Sequence, residues 1–218
     1  MITLFPEMLA GFLGQSMMKR AAQHGHVAFN CINLRDFAGD KHRTTDEPPF
    51  GGGPGMVLKP EPLFRAVESV KTEASRVILM CPQGAPFKQK RAQELSGAEH
   101  LIFICGHYEG VDERVREALV DEEISIGDYV LTNGVLPAAV VIDAVVRLIP
   151  GVLGGDGAAE SESFTGLLLE YPQYTRPAEF RGMAVPDELL SGNHALIAEW
   201  RRKKSAERTA ARRPDLFD

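Results

Sequence analysis

The sequence predicts an α/β domain on a mostly parallel sheet, followed by a small all-helical domain. Three observations carry this. Short apolar segments alternate with helical ones: after their first residues, Arg76 and His100, RVILMC (76–81) and HLIFIC (100–105) are uniformly apolar, as strands covered on both faces are. The segments leaving the strands read Cys81-Pro82-Gln83-Gly84, Cys105-Gly106-His107-Tyr108-Glu109-Gly110 and Ser125-Ile126-Gly127-Asp128. Each contains glycine, and in parallel sheets ligands bind at the carboxyl ends of strands. After Gly154 the pattern lapses into Gly, Ala, Ser and Glu, a linker-like composition. The domains expected are therefore 1–155, a flexible linker over 156–171, and 172–218.

In chain order, residues 7–23 show helical spacing, with Met8, Phe12 and Leu13 on one side, and 27–34 are strand-like. Residues 35–55 read as a long loop, 60–73 as a helix, 88–95 and 112–119 as further helices. Residues 125–131 predict a buried strand running into a turn at Thr132-Asn133-Gly134. Pro137 suits the first position of a helix, Ala138 to Ile149 is almost wholly apolar, and Pro150-Gly151 ends it. Such a helix belongs in a core. Only Asp143 and Arg147 interrupt it, four residues apart on one face. Periodicity leaves two readings open: a buried ion pair, or an arginine directed into a site and holding an electron-rich substrate atom.

The net charge of −6 argues against a general nucleic-acid binder, but the charge is unevenly spread. Residues 109–128 hold eight acids and two arginines; residues 199–213 hold seven bases and two acids. A basic tail helix on an acidic chain is either a phosphate contact or a solvated face. No apolar run approaches the roughly 18 residues that span a membrane, and Met1-Ile2-Thr3-Leu4-Phe5 enters a strand-like segment without a leader pattern. Cys31, Cys81 and Cys105 are odd in number, form no CxxC and sit among apolar residues, as reduced core thiols of a cytoplasmic protein do.

No GxGxxG opens a helix after the first strand, which leaves a Rossmann site unsupported. Gly51-Gly52-Gly53-Pro54-Gly55 lacks the Lys-Ser/Thr ending of a P-loop. It is either a tight turn or a place of close approach. His24 and His26 flank a glycine in a turn and are read as surface residues, and no histidine pair has metal-ligand spacing.

Motifs along nearly the whole chain carry a resemblance: Leu4-Phe5-Pro6-Glu7-Met8, Arg35-Asp36-Phe37, His42-Arg43-Thr44, the glycine-rich run into Met56, Pro82-Gln83-Gly84, residues 105–114, residues 125–131, residues 147–152, Tyr174-Thr175-Arg176-Pro177 and Leu190-Ser191-Gly192-Asn193-His194. In this order they resemble the bacterial tRNA (guanine-N1)-methyltransferases of the SPOUT class, which modify the guanosine 3′ of the anticodon. The resemblance implies a deep trefoil knot in the parallel sheet, a topology that no pattern here would reveal. It also implies a homodimer and a tRNA anticodon arm gripped by the C-terminal domain, which suits Arg201-Arg202-Lys203-Lys204 and Arg208.

The same resemblance implies an S-adenosyl-L-methionine pocket lined by Leu79, Met80, Cys81, Pro82, Gly106, Tyr108, Ser125, Ile126, Gly127, Asp128, Tyr129, Val130, Leu131, Gly134 and Pro137. Glu109 would sit by the cofactor's methionine end, and Arg147 would hold the guanine. Glu162 stands where the family has an aspartate base; Asp156 and Glu160 are the fallback carboxylates. Asn133 is a second departure, where the family has glycine, and a slightly longer C-terminus is expected. Guanine N1 is protonated at neutral pH, so a base must take its proton, and a cation must face the charge that moves to O6. Arg147 supplies that cation, and the chemistry admits Mg²⁺ beside it. A SPOUT enzyme acting on a ribose 2′-oxygen and a non-catalytic tRNA-binding relative remain the alternatives.

Overall fold

The computed structural model describes residues 1–154, 162–164 and 166–217. They fall into two units, residues 1–154 and residues 155–218. In the first unit the elements are β1 (Ile2–Thr3), α1 (Ala10–Leu13), α2 (Ser16–Gln23), β2 (Ile32–Asn33), β3 (Asp46–Glu47), β4 (Val57–Leu58), α3 (Pro60–Glu68), β5 (Ser75–Pro86), α4 (Gln89–Ser96), β6 (His100–Cys105), α5 (Glu113–Leu119), β7 (Glu122–Ser125) and α6 (Val135–Val146). The main sheet has five strands in the order β2-β1-β6-β5-β7, and every pairing is parallel.

The period-2 alternation of strand side chains divides this sheet's core in two. Ile78 and Met80 of β5, with Phe103 and Cys105 of β6, face α2, α4 and α6. Val77, Leu79 and Cys81, with Ile102 and Ile104, face α3 and α5. Both faces are covered, which is why these two strands read as continuous apolar runs. Each fully buried Leu or Ile here contributes about 1.5–3 kcal/mol.

Several elements differ from the sequence reading. The third strand is Glu122–Ser125, not 125–131. It is an edge strand, where charged side chains are tolerated, and its acids are paired: Glu122 with Arg91, Glu123 with Arg116. The strand ends at Ser125 because its Oγ accepts from Gly127 N (3.2 Å) and donates to Gly127 O (3.0 Å), folding the chain away. The single helix expected over 7–23 is broken at Gly14, which ends α1, and at Ser16, with φ of 48°. Of 27–34 only Ile32–Asn33 pairs. The loop at 35–55 contains β3, which pairs antiparallel with β4.

In α6, Pro137 is the third residue, not the first; it still lies in the first turn, where a missing N–H costs little. The helix is not wholly buried. Leu136 and Val140 are exposed, as is Asp143, while Arg147 is half-buried, so Asp143 and Arg147 are not a buried ion pair. All three cysteines are free, and burial pushes the Cys105 thiol up to about 12 and raises that of Cys31.

The second unit contains β8 (Glu179–Phe180), β9 (Met183–Ala184), α7 (Asp187–Leu190) and α8 (His194–Arg212). It is therefore not all-helical. β8 and β9 pair antiparallel through a two-residue turn, Arg181-Gly182, both at positive φ (52° and 77°), the type I′ geometry of tight hairpins. Arginine at its first position hid the signal. Asn193 caps α8, its Oδ1 accepting from Ala195 N and Leu196 N. Of the expected linker, 156–161 and 165 lie outside the described residues; its end is tied to α8, with Leu169 N donating to Thr209 Oγ1 (2.8 Å) and Arg208 Nη1 to Glu170 O (3.2 Å).

β5 carries an irregularity that shapes the site. Met80 and Ala85 both lie opposite Ile124, so residues 81–84 bulge out between two stretches paired with β7. Gly84 returns the chain so closely that a Cβ there would stand 2.5 Å from the backbone of Glu123 and Ile124. Gly84→Ala is expected to destabilise the protein by about 1–3 kcal/mol through this overpacking; an unchanged urea midpoint would contradict the account.

Candidate functional site

The carboxyl ends of β5, β6 and β7 open on one cleft of about 250 Å³. Its first wall is Leu79, Met80, Cys81, Pro82 and Gln83, the end of β5 and its bulge. The second is the loop after β6, from Gly106 to Val111. The third is the loop after β7, with Ser125, Ile126, Gly127, Tyr129, Val130 and Leu131, continuing through Gly134 to Pro137.

Backbone contacts hold the second and third walls together. Gly134 N donates to Gly106 O at 2.8 Å, and His107 and Asn133 form an isolated antiparallel bridge. A Cβ on Gly134 would stand 2.9 Å from Cys105 Cα and 3.1 Å from Gly106 N, so this crossing admits only glycine. Asn133 seals the turn: its Oδ1 accepts from Val135 N at 2.9 Å. Tyr108, at φ 58°, occupies a left-handed conformation unusual for its type and is half exposed at the cleft. His107 is buried against Phe5, at 5.2 Å between rings. Burial lowers its pKa, so the imidazole is neutral at pH 7, and its Nδ1 has no hydrogen-bond partner of good geometry among the described residues.

Glu109 also lines the cleft, and the glycine-rich loop closes on it. Met56 O accepts from Glu109 N at 3.0 Å, and a Cβ on Gly55 would collide with the Glu109 side chain. Both readings of that loop hold in part: Gly55 is a point of close approach, whereas Gly51, Gly52 and Gly53, at positive φ with open space at their Cβ positions, form a turn.

Arg116 is a cleft residue the sequence reading passed over. It donates to Cys81 Sγ (3.1 Å), Gln83 Oε1 (3.0 Å) and Glu123 Oε2 (2.9 Å), pinning the 81–84 bulge to α5 and β7. Its only trace in the sequence is that it is one of two arginines in an acidic run, which marks a paired cation and not its target.

Two expected residues of the first unit stand apart from the cleft. Asp128 belongs to the third wall's loop but is not among the residues lining the cleft. Arg147 caps the far end of α6, about 18 Å of helix from Gly134, and does not line the cleft. It makes an interaction of its own, as does Glu162, which lies in the second unit. Asp156 and Glu160 lie outside the described residues. Among the described residues no group of three or more His, Cys, Asp or Glu could hold a metal, and no helix is long and apolar enough to cross a membrane.

The model of the family described as tRNA (Guanine-1)-methyltransferase TrmD matches residues 1–218. The chain belongs to the tRNA (guanine-1)-methyltransferase family. Among its relatives, proteins named tRNA (guanine-N(1)-)-methyltransferase are 63% identical in Brevibacillus brevis over 217 residues (99% of this chain, 89% of that protein). In Anoxybacillus flavithermus the identity is 59% over 220 residues (100% and 90%), and in Staphylococcus aureus 58% over 218 residues (100% and 89%). An enzyme of this family implies S-adenosyl-L-methionine as methyl donor. The cleft's architecture makes one local prediction. Arg116→Ala is expected to speed amide hydrogen exchange at residues 83–84 by about 10-fold while leaving β6 unchanged, since a charged hydrogen bond is worth about 1.5–3 kcal/mol. Equal protection in variant and wild type would show that the bulge stands without it.

Proposed function

We propose that this protein transfers the methyl group of S-adenosyl-L-methionine to N1 of the guanosine 3′ of the anticodon in tRNA, as a cytoplasmic homodimer. The observation that carries the reading is the convergence of three strand ends on one cleft in a chain of this family. The residues fit the cofactor. Gly106 and Gly134 leave backbone bare where two walls meet, Leu79, Ile126, Leu131 and Pro137 give apolar surface for a flat purine, and Glu109 can meet an ammonium group. When bound, the cofactor supplies an electrophilic methyl group. The knotted path of the SPOUT class is the topology we assign to the sheet; the crossing of Gly134 over Gly106 supports it.

In this reading Glu162 takes the guanine N1 proton, and Arg147 faces the negative charge that develops on O6. A fixed guanidinium suffices for that charge; Mg²⁺ beside it is compatible with the same chemistry. Two observations support a homodimer. Arg147 is absent from the lining of the cleft in its own chain, so a second copy is a natural source of that residue. The loop after β7 and α6 also expose apolar side chains, with Val130 at 82%, Leu136 at 56% and Val140 at 50%, a surface that a second copy would cover. The C-terminal unit, whose α8 exposes Arg201, Arg202 and Lys203, is the proposed grip on the anticodon arm.

The test is to methylate a tRNA transcript with a guanosine 3′ of its anticodon and identify the modified nucleoside by mass spectrometry. We expect 1-methylguanosine at that position; a 2′-O-methyl product, or none, overturns the reading. Arg147→Ala is expected to lower kcat by about 10²-fold or more with the fold intact. Glu162→Gln is expected to lower it by about 10² to 10⁴, with Glu162→Asp retaining activity. Wild-type single-turnover rates in Glu162→Gln would remove Glu162 from the mechanism.

A further inference from the structure

The 81–84 bulge presents a polar group that the catalytic reading does not use. Gln83 is exposed on the bulge and lines the cleft. Pro82 has no N–H, and Gln83 N is taken by Cys81 Sγ at 3.4 Å. Across these two residues the side-chain amide of Gln83 is therefore the donor that remains.

Arg116 fixes which way that amide faces. A guanidinium offers donors and no acceptor, so an amide held against it must present its oxygen. Arg116 Nη1 donates to Gln83 Oε1 at 3.0 Å, which turns the NH₂ group of the same planar amide away from the cation. No described residue accepts from Gln83 Nε2. Arg116 is itself held in place. Its side chain is 16% exposed, and it donates to Glu123 Oε2 (2.9 Å) on β7 and to Cys81 Sγ (3.1 Å) at the start of the bulge. Gln83 thus takes its orientation from a fixed donor, and an amide ordered before a ligand arrives costs less to order on binding.

The two facing walls then differ in character. Glu109 on the second wall is an acceptor when ionised, and Gln83 on the first wall offers a donor. A ligand that complements both carries a donor at one place and an acceptor at another. S-adenosyl-L-methionine does, with an ammonium group for Glu109 and oxygen acceptors on its ribose and its carboxylate.

We propose that Arg116 is a positioning residue for the methyl donor, holding the Gln83 amide so that Nε2 donates to an oxygen of S-adenosyl-L-methionine, a ribose hydroxyl or the carboxylate. The inference rests on the reading of the cleft as the cofactor site and adds a donor supplied by its first wall.

The experiment is calorimetric titration of the full-length protein with S-adenosylhomocysteine and with methylthioadenosine, which keeps the ribose and lacks the carboxylate. Circular dichroism checks that each variant is folded. Gln83→Glu separates a donor from a clamp: it keeps an acceptor for Arg116, so the bulge stays pinned, but an ionised carboxylate donates nothing. It is expected to weaken S-adenosylhomocysteine binding about 2- to 10-fold, the scale of one hydrogen bond. Arg116→Met removes every donor at similar length. Its loss is expected to be smaller in a Gln83→Ala background than in wild type, because orientation ceases to matter once the amide is gone. Arg116→Lys, which also offers only donors, should recover part of the affinity that Arg116→Met loses. A Gln83→Glu loss shared by methylthioadenosine assigns the acceptor to the ribose, and one confined to S-adenosylhomocysteine assigns it to the carboxylate; either supports the proposal. Wild-type affinity in Gln83→Glu overturns the donor role. Equal losses from Arg116→Met in the two backgrounds overturn the positioning role and leave Arg116 a structural clamp. A folded wild-type protein that takes up no S-adenosylhomocysteine overturns the cofactor-site reading and this inference with it.

Discussion

The structure depends on one close crossing of backbone. Gly134 N reaches Gly106 O at 2.8 Å, and a Cβ on Gly134 would stand 2.9 Å from Cys105 Cα. That contact joins the loop after β7 to the loop after β6 and sets where α6 begins. Once α6 begins there, its buried face must lie on the sheet, and Val135, Ala138, Val141, Ile142 and Val145 fill that side of the core. The cleft lies between loops that cannot part without breaking this contact, with Tyr108 and Tyr129 in its walls. A cavity framed by backbone is rigid at little cost in side-chain ordering, which suits a ligand held in a bent, fixed conformation.

How much of this could be read from residues alone varied with burial. RVILMC and HLIFIC were legible because both faces of those strands are covered, which leaves polar residues only at their starts, Arg76 and His100. The strand Glu122–Ser125 was not, since an edge strand tolerates acids and its neighbours Arg91 and Arg116 neutralise them. The breaks at Gly14 and Ser16 were hidden within a helical apolar spacing that runs across α1 and α2. The hairpin turn at Arg181-Gly182 was hidden because arginine seldom takes positive φ.

The site divides along the same line. Glycine-bearing strand ends announced three walls of the cleft, and family motifs supplied names for their residues. The Arg116 clamp could not be seen, because its partners Cys81, Gln83 and Glu123 come together only when the β5 bulge folds beside β7. The distance of Arg147 from the cleft was equally hidden. Its spacing from Asp143 suggested a local pair, whereas the chain exposes Asp143 and places Arg147 at the helix terminus. In the proposed function Arg147 is assigned to the chemistry yet lies off its own chain's cleft, which is why that reading takes a second copy as its source.

The account stands on the cleft being a cofactor site, and calorimetric titration with S-adenosylhomocysteine addresses that directly. The account predicts saturable binding of one molecule per chain, abolished by Gly134→Val at the backbone crossing while circular dichroism shows the sheet retained. A folded wild-type protein that takes up no S-adenosylhomocysteine, or a Gly134→Val variant that binds it as well as wild type, would contradict it.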